Sequence, residues 1–351
     1  MEQSTPWTAG RNMGRWNPER KTPPITSGDA TAGVRPTFFD TLEGRMRSIR
    51  AFFDDRFAAP IGDHVMPIGK FRRVADAVRD WPGVRIESPE PVTEADLLQV
   101  HSADYVNAVR TGEPRALAES QKFPWSPELY ESVRFTNGAV YAAAEAALQD
   151  GVACAVASGF HHAHAARGEG FCTFNGLIVA IDKLRAENKL FSAAVLDLDL
   201  HYGNGTAQLI AERPYVTQLS IYGNDYWNNT PYRDVTTLRH TDGENHFSAP
   251  LLAGCRGPAL QAVLNRQLPR LLTGPHWPEL LIYQAGADPL ADDPYSPLAL
   301  TADDLLERDR TVFRFAREHG IPIAWVLAGG YTKDVSKVVD VHVNTFKAAV
   351  G

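Results

Sequence analysis

The run Val195-Leu196-Asp197-Leu198-Asp199-Leu200-His201-Tyr202-Gly203-Asn204-Gly205 decides how the rest of the chain is read. Leu196, Leu198 and Leu200 alternate with Asp197, Asp199 and His201. Successive side chains of a strand point to opposite faces, so the alternation predicts a strand with two carboxylates and an imidazole on one side. Burying that set is costly unless a cation or a dense hydrogen-bond network compensates it. No Lys or Arg lies close by in sequence, so a metal site is favoured over a buried salt-bridge cluster.

Moving outward, short apolar, β-branched runs recur at Ile49–Phe53, Val152–Ser158, Phe191–Leu200, Tyr215–Ile221, Leu280–Ala285 and Ile321–Leu327. Several are apolar on both faces, as strands of a buried parallel sheet are. Helical segments alternate with them. Ser126-Pro127-Glu128 is a cap with Pro at the first helical position, and that segment stops at Gly151. Thr93 to Asp96 and Thr301 to Asp304 read as capping boxes. The expectation is one α/β domain over residues 48–351, with a central, mostly parallel sheet flanked by helices. Residues 1–47 are rich in Pro, Gly, Ser and Thr, and are read as an extended arm that wraps the body or mediates assembly, or as a floppy tail.

Composition narrows the function classes. The 351 residues are 44% hydrophobic and 22% charged, which is globular. The formal charge of −7, with no basic run of five residues, disfavours a nucleic-acid partner. No apolar stretch is long enough for a membrane span, and the polar N-terminus has no secretory signal. Three cysteines without metal-type spacing point to a reducing, cytoplasmic setting.

Open α/β sheets place ligands beyond the carboxyl ends of their strands. Three more clusters fall at such ends. His161-His162-Ala163-His164 follows the Val152–Ser158 strand, and an adjacent His pair there suits metal ligation or acid–base chemistry. Asp288 follows Tyr283-Gln284-Ala285-Gly286-Ala287; alone it reads as a helix cap. Tyr331 follows Gly329-Gly330; alone it reads as a packing Tyr after a turn.

Taken in order, HHAHAARGEGFCTFNG (161–176), VLDLDLHYGNGT (195–206), YQAGADPL (283–290) and LAGGYT (327–332) resemble the histone deacetylase family of zinc-dependent deacylases, within the arginase–deacetylase fold. The likeness runs from about Ile49 to the C-terminus and is nearest to the class IV enzymes and their bacterial relatives. The resemblance implies Asp199, His201 and Asp288 as zinc ligands, leaving a fourth position open as in catalytic sites. It implies a structural potassium ion at Asp197, Asp199 and His201 with Ser220 and Ile221. It makes His162 the general base, His161 an electrostatic partner held by Asp197, and Tyr331 the donor to the oxyanion. Phe171, beside Gly170, becomes one wall of an acyl tunnel that Gly330 also borders, with Tyr226 or Trp227 as candidates for the opposite wall. Cys172 is a small buried neighbour; His101 and His164 are structural. Asn204 stands where many members carry Asp, and Asp292-Asp293-Pro294-Tyr295-Ser296 departs from the usual Gly-Asp-Arg-Leu-Gly.

The implied reaction is hydrolysis of the amide of an acyl-lysine or related acylated amine. An acetylpolyamine or other small-molecule amidohydrolase of the same fold is the first alternative, and a non-catalytic acyl-ligand binder is another. A dinuclear manganese ureohydrolase is disfavoured because Gly203 stands where a second Asp would bridge two ions. A homo-oligomer is an open expectation.

Overall fold

In the computed structural model, residues 48–225, 230–234 and 245–351 are described; the sequence expectations for residues 1–47 and for Tyr226 and Trp227 lie outside them. The strands are β1 (Ile49–Phe52), β2 (Val84–Glu87), β3 (Val152–Ser158), β4 (Ala193–Asp197) and β5 (Val216–Tyr222). They continue as β6 (Asn224–Asp225), β7 (Thr230–Pro231), β8 (His246–Pro250), β9 (Leu280–Ala285) and β10 (Ile323–Leu327). Eight of them form one sheet in the order β2-β1-β3-β10-β9-β4-β5-β8, and every neighbouring pair is parallel. The short β6–β7 pair is antiparallel and separate. The sheet is therefore wholly parallel, as strands buried on both faces between helices require.

The order carries the functional consequence. β9 and β10 insert between β3 and β4, so the ends at residues 158, 327, 285 and 197 become four adjacent positions on one edge of the sheet. Parallel pairing turns all four carboxyl ends the same way. Register aligns Asp197 with Gln284 and Gln284 with Val326. At the carboxyl end of β10 the pairing with β3 shifts between Val326 and Leu327, an irregularity at the functional edge.

Two edge strands, β2 and β8, had no counterpart in the sequence reading. Their half-buried, polar sequences, VRIE and HFSAP, lack the continuous apolar signal of central strands. The strand expected over Phe191–Leu200 is shorter at both ends. Phe191 is exposed, and the ladder stops at Asp197 because Asp side chains take over the backbone donors. Asp197 Oδ1 accepts from the N–H of Asp199 at 3.2 Å, and Asp199 Oδ1 accepts from the N–H of His201 at 2.9 Å. Side chains that bond the backbone two residues on fold it into turns rather than strand.

Helix Pro127–Asp150 starts at the Ser126 cap and ends at Gly151, where φ is +88°. Both capping boxes form, Thr93 with Asp96 and Thr301 with Asp304. The second opens helix Ala302–Glu318, whose inner face carries Leu305, Arg308, Asp309, Val312, Phe313 and Ala316. Arg308 and Asp309 are a buried ion pair on a largely apolar stripe. The Arg308 guanidinium donates to the carbonyls of Gly286 (2.7 Å) and Leu198 (3.3 Å) and to Asp309 (2.8 Å). Asp309 also accepts from Tyr283 and Thr345. One side chain thus ties the exits of β4 and β9 together. Removing one member of a buried ion pair leaves the other charge uncompensated. Arg308→Met is expected to lower the unfolding free energy by about 3–5 kcal/mol in urea titration and to weaken metal retention; a loss below 1 kcal/mol would refute the role of Arg308 as a strut.

Candidate active site

Beyond β4 and β9, Asp199, His201 and Asp288 converge until one ligand atom from each lies within 4.8 Å of the others. His201 Nδ1 is 3.2 Å from Asp199 Oδ1 and 3.1 Å from Asp288 Oδ2. Their other oxygens are held by backbone: Asp199 Oδ2 accepts from the N–H of Gly329 at 2.8 Å, and Asp288 Oδ1 from that of Leu200 at 3.0 Å. Both carboxylates are essentially buried. Glycine makes the cradle possible. A Cβ at Gly329 would overlap Asp288 Oδ2, and one at Gly286 would meet the Asp199 Cα at 2.6 Å.

The donor chemistry fits a divalent cation. Burial and the neighbouring Asp199 charge push Asp288 up to about 7. Burial works against charge on His201, yet Asp199 and Asp288 more than offset it and lift the imidazole to about 10. Protons collect where a doubly charged ion is needed. Two oxygens and one nitrogen are the ligand set of an open zinc site. Two buried cations lie in the surroundings, but they serve the backbone: Lys70 Nζ donates to the Ala328 carbonyl at 2.6 Å, next to Gly329, and Arg308 to Gly286 and Leu198.

His161 and His162 follow β3, their ring centroids 3.9 Å apart. His161 Nδ1 lies 2.7 Å from Asp197 Oδ2. Burial opposes its charge, but Asp197 and Asp199 raise it above the ordinary histidine value. His162 Nδ1 lies 2.7 Å from Asn204 Oδ1. Burial, then the nearby His161 and His201, drive it well below the ordinary value. An imidazole lowered beside one that is raised is an arrangement in which the first can accept a proton while its neighbour stabilises negative charge.

Tyr331 follows β10 across Gly329 and Gly330, the latter at φ +143°. Its ring centroid lies 6.4 Å from that of His201. Burial and the carboxylates Asp288 and Asp199 push its phenol well up, so it stays a donor. Its own N–H is held by Asp293 Oδ2 at 2.7 Å. His162, His201 and Tyr331 line a cavity of about 630 Å³ that reaches Phe171, Glu169 and Tyr295. Gly170 and Phe171 both take left-handed backbone, φ +52° and +64°, uncommon for a bulky residue and a means of turning the Phe ring into the cavity. Phe123 stacks on that ring, and His64 meets it edge-on.

Of the expected cation residues, Asp197 pairs in register with Ser220 on β5, with Ile221 next, all three buried. Burial pushes the Cys172 thiol up, out of nucleophile range. His101 spans the His164 carbonyl and the Asn175 N–H in a buried structural bridge. The sequence reading did not place Tyr295 at the site, where its ring packs edge-on against Tyr331 at 5.2 Å and His201 at 6.2 Å; the candidates at residues 226 and 227 lie outside the described residues. It also missed Lys70 and Arg308. The signal for both was a charged residue on the apolar face of an amphipathic helix.

Protons held by raised groups compete with a metal ion, and the sign follows. Below its pKa of about 7 Asp288 carries a proton that zinc must displace, as does His201 below about 10. Apparent zinc affinity is therefore expected to rise between about pH 6 and 8 by roughly tenfold per pH unit for each proton released. Competition against a chromophoric chelator measures it, and a flat profile would contradict the assignment of these three ligands.

The histone deacetylase domain matches residues 64–346. Histone deacetylase 2 of Arabidopsis thaliana is 30% identical over 261 residues, covering 72% of this chain and 65% of the relative. A histone deacetylase-like amidohydrolase of Pseudomonas aeruginosa is 29% identical, covering 71% of this chain and 67% of the relative. The crystal structure of acetylpolyamine aminohydrolase from Burkholderia pseudomallei superposes with a TM-score of 0.68 at 21% identity, over 86% of this chain and 98% of that one, and shares the fold. The chain belongs to the histone deacetylase family, a family of zinc-dependent deacetylases and amidohydrolases.

Proposed function

We propose that the protein hydrolyses the amide of an acyl-lysine or a related acylated amine at a single zinc ion held by Asp199, His201 and Asp288. The observation that carries this reading is the meeting of those three donors within 4.8 Å of one another, with His201 among them lining the cavity that His162 and Tyr331 also line. Zinc bound there supplies Lewis acidity, polarising an acyl carbonyl and lowering the pKa of water.

The chain's own residues do the rest. His162, kept neutral by its surroundings, takes the proton of the attacking water and returns it to the departing amine. His161, held charged against Asp197, lowers the cost of negative charge beside it. Tyr331 donates its phenol O–H to the oxygen that gains charge as the carbonyl carbon becomes tetrahedral. Phe171 and Tyr295 give the acyl group and the amine stem apolar walls that exclude water. The Asp293 carboxylate, bonded to the N–H groups of both Tyr295 and Tyr331, fixes one wall relative to the oxyanion donor.

A structural potassium ion is proposed where the end of β4 meets β5, among Asp197, Asp199, His201, Ser220 and Ile221; the register of Asp197 with Ser220 supports it. Among the described residues no helix is long and apolar enough to cross a membrane. The unpaired, buried Cys154 and Cys172 support work in a reducing compartment, which we take to be the cytoplasm.

A panel of acylated lysines and acylated polyamines, assayed with metal content measured on the same sample, tests the reaction. Zinc-dependent hydrolysis of at least one member is expected, and a zinc-loaded protein inert to every member would overturn the reading. Tyr331→Phe is expected to keep its zinc while kcat falls by about 10²–10³, the typical cost of one oxyanion donor; activity within threefold of the parent would remove Tyr331 from the mechanism.

A further inference from the structure

The amide of Asn204 is symmetrical in shape but not in chemistry. With its carbonyl toward His162, it accepts from Nδ1–H and leaves Nε2 unprotonated, the tautomer a base needs. Flipped, its NH2 donates to Nδ1, moves the ring proton to Nε2, and disarms the base. Nothing in the amide itself chooses between these states.

Glu169 makes the choice. Its side chain is only 12% exposed, and Oε1 accepts from Asn204 Nδ2 at 3.2 Å. A carboxylate can only accept, so it faces only the NH2 end of the amide. Asn204 Oδ1 is thereby turned to His162 Nδ1, at 2.7 Å. The carboxylate is itself anchored: Oε2 takes Arg167 at 2.7 Å and His164 Nε2 at 2.9 Å, and His164 Nδ1 meets Gln208 Oε1 at 2.7 Å. Asn204 Nδ2 also lies 3.4 Å from His164 Nε2. The Glu169 backbone is fixed by paired bonds with Cys172, across the same turn that presents Phe171.

Resting on the reaction proposed above, we infer that Glu169 is a positioning residue that locks the Asn204 amide and, through it, the proton on Nδ1 of His162. Glu169→Gln keeps the shape but offers the amide a donor as readily as an acceptor, so the lock is lost. Asn204→Asp places an acceptor-only group against His162 and needs no lock, but it sets a second carboxylate against Glu169. The two changes therefore correct each other.

The test uses the full-length zinc-loaded protein, with 15N-histidine NMR for the tautomer and steady-state kinetics for the reaction. Glu169→Gln is expected to shift His162 toward the Nε2–H form and to lower kcat by roughly tenfold or more, part of the about 10²–10⁴ that a positioned base supplies. KM, zinc content and the unfolding midpoint are expected to stay close to the parent's. Combining it with Asn204→Asp is expected to bring kcat back to within about threefold of the parent, a rescue that a merely structural glutamate would not give. An unchanged Nδ1–H tautomer in Glu169→Gln, or an equal loss of kcat in the Asn204 and Asn204→Asp backgrounds, would overturn the inference. A parent inert to all acylated amines would instead sink the proposed reaction, and the NMR arm would still decide the role of Glu169.

Discussion

Two buried carboxylates that face one another set the terms for the rest of the molecule. Asp199 and Asp288 each come within 3.2 Å of the same imidazole nitrogen, and the three ligand atoms lie within 4.8 Å. Two like charges at that separation repel by about 3.5 kcal/mol at an effective dielectric constant of 20, before any desolvation cost. A cation between them turns the repulsion into attraction. A site of this kind has to be held open by its surroundings until the ion arrives, because the ligands left to themselves would move apart or take up protons.

The surroundings do this through backbone. Each carboxylate spends one oxygen on a main-chain N–H from another strand exit, Gly329 for Asp199 and Leu200 for Asp288, and turns the other toward the cluster, where Asp199 Oδ1 also takes the N–H of His201. Lys70 and Arg308 then fix the loops that carry those N–H groups by bonding carbonyl oxygens at Ala328, Gly286 and Leu198. Cations placed on carbonyls one bond removed lower the local negative potential without occupying the ligand oxygens. A lysine paired directly with Asp288 would compete with the metal; one bonded to Ala328 does not. Burial pulls Lys70 down to about 8, against the attraction of Asp288, Asp199 and Asp293, so it remains largely charged at neutral pH.

Legibility in the sequence followed the range of the interactions. Asp197, Asp199 and His201 were readable because a period of two is a local signal. The strand expected there nonetheless ran three residues too far, since Asp197 and Asp199 bond the backbone two residues on, a competition that hydrophobic alternation does not register. Asp288 and Tyr331 were weak signals singly and became informative only in order with the others. The sheet order was not readable at all: nothing local says that β9 and β10 enter between β3 and β4. Lys70 bonds a carbonyl 258 positions away, and no pattern within a helix reveals such a partner. Tyr295 was hidden because it lies in the stretch that departs from the family motif, where the resemblance gave no residue to carry over.

The neighbouring histidines show why a neutral amide at position 204 is compatible with the chemistry. His161 rests on a carboxylate and is lifted; His162 rests on an amide, feels two nearby imidazoles, and is lowered. A carboxylate at position 204 would raise His162 as Asp197 raises His161, whose ring centroid lies only 3.9 Å away, and the amide leaves that second rise out. In the proposed reaction the two rings divide the work: the raised ring stabilises developing negative charge and the lowered ring takes a proton. The negative charge of Glu169 is not absent from this scheme but displaced by one amide, far enough to leave His162 neutral and close enough to orient what holds it.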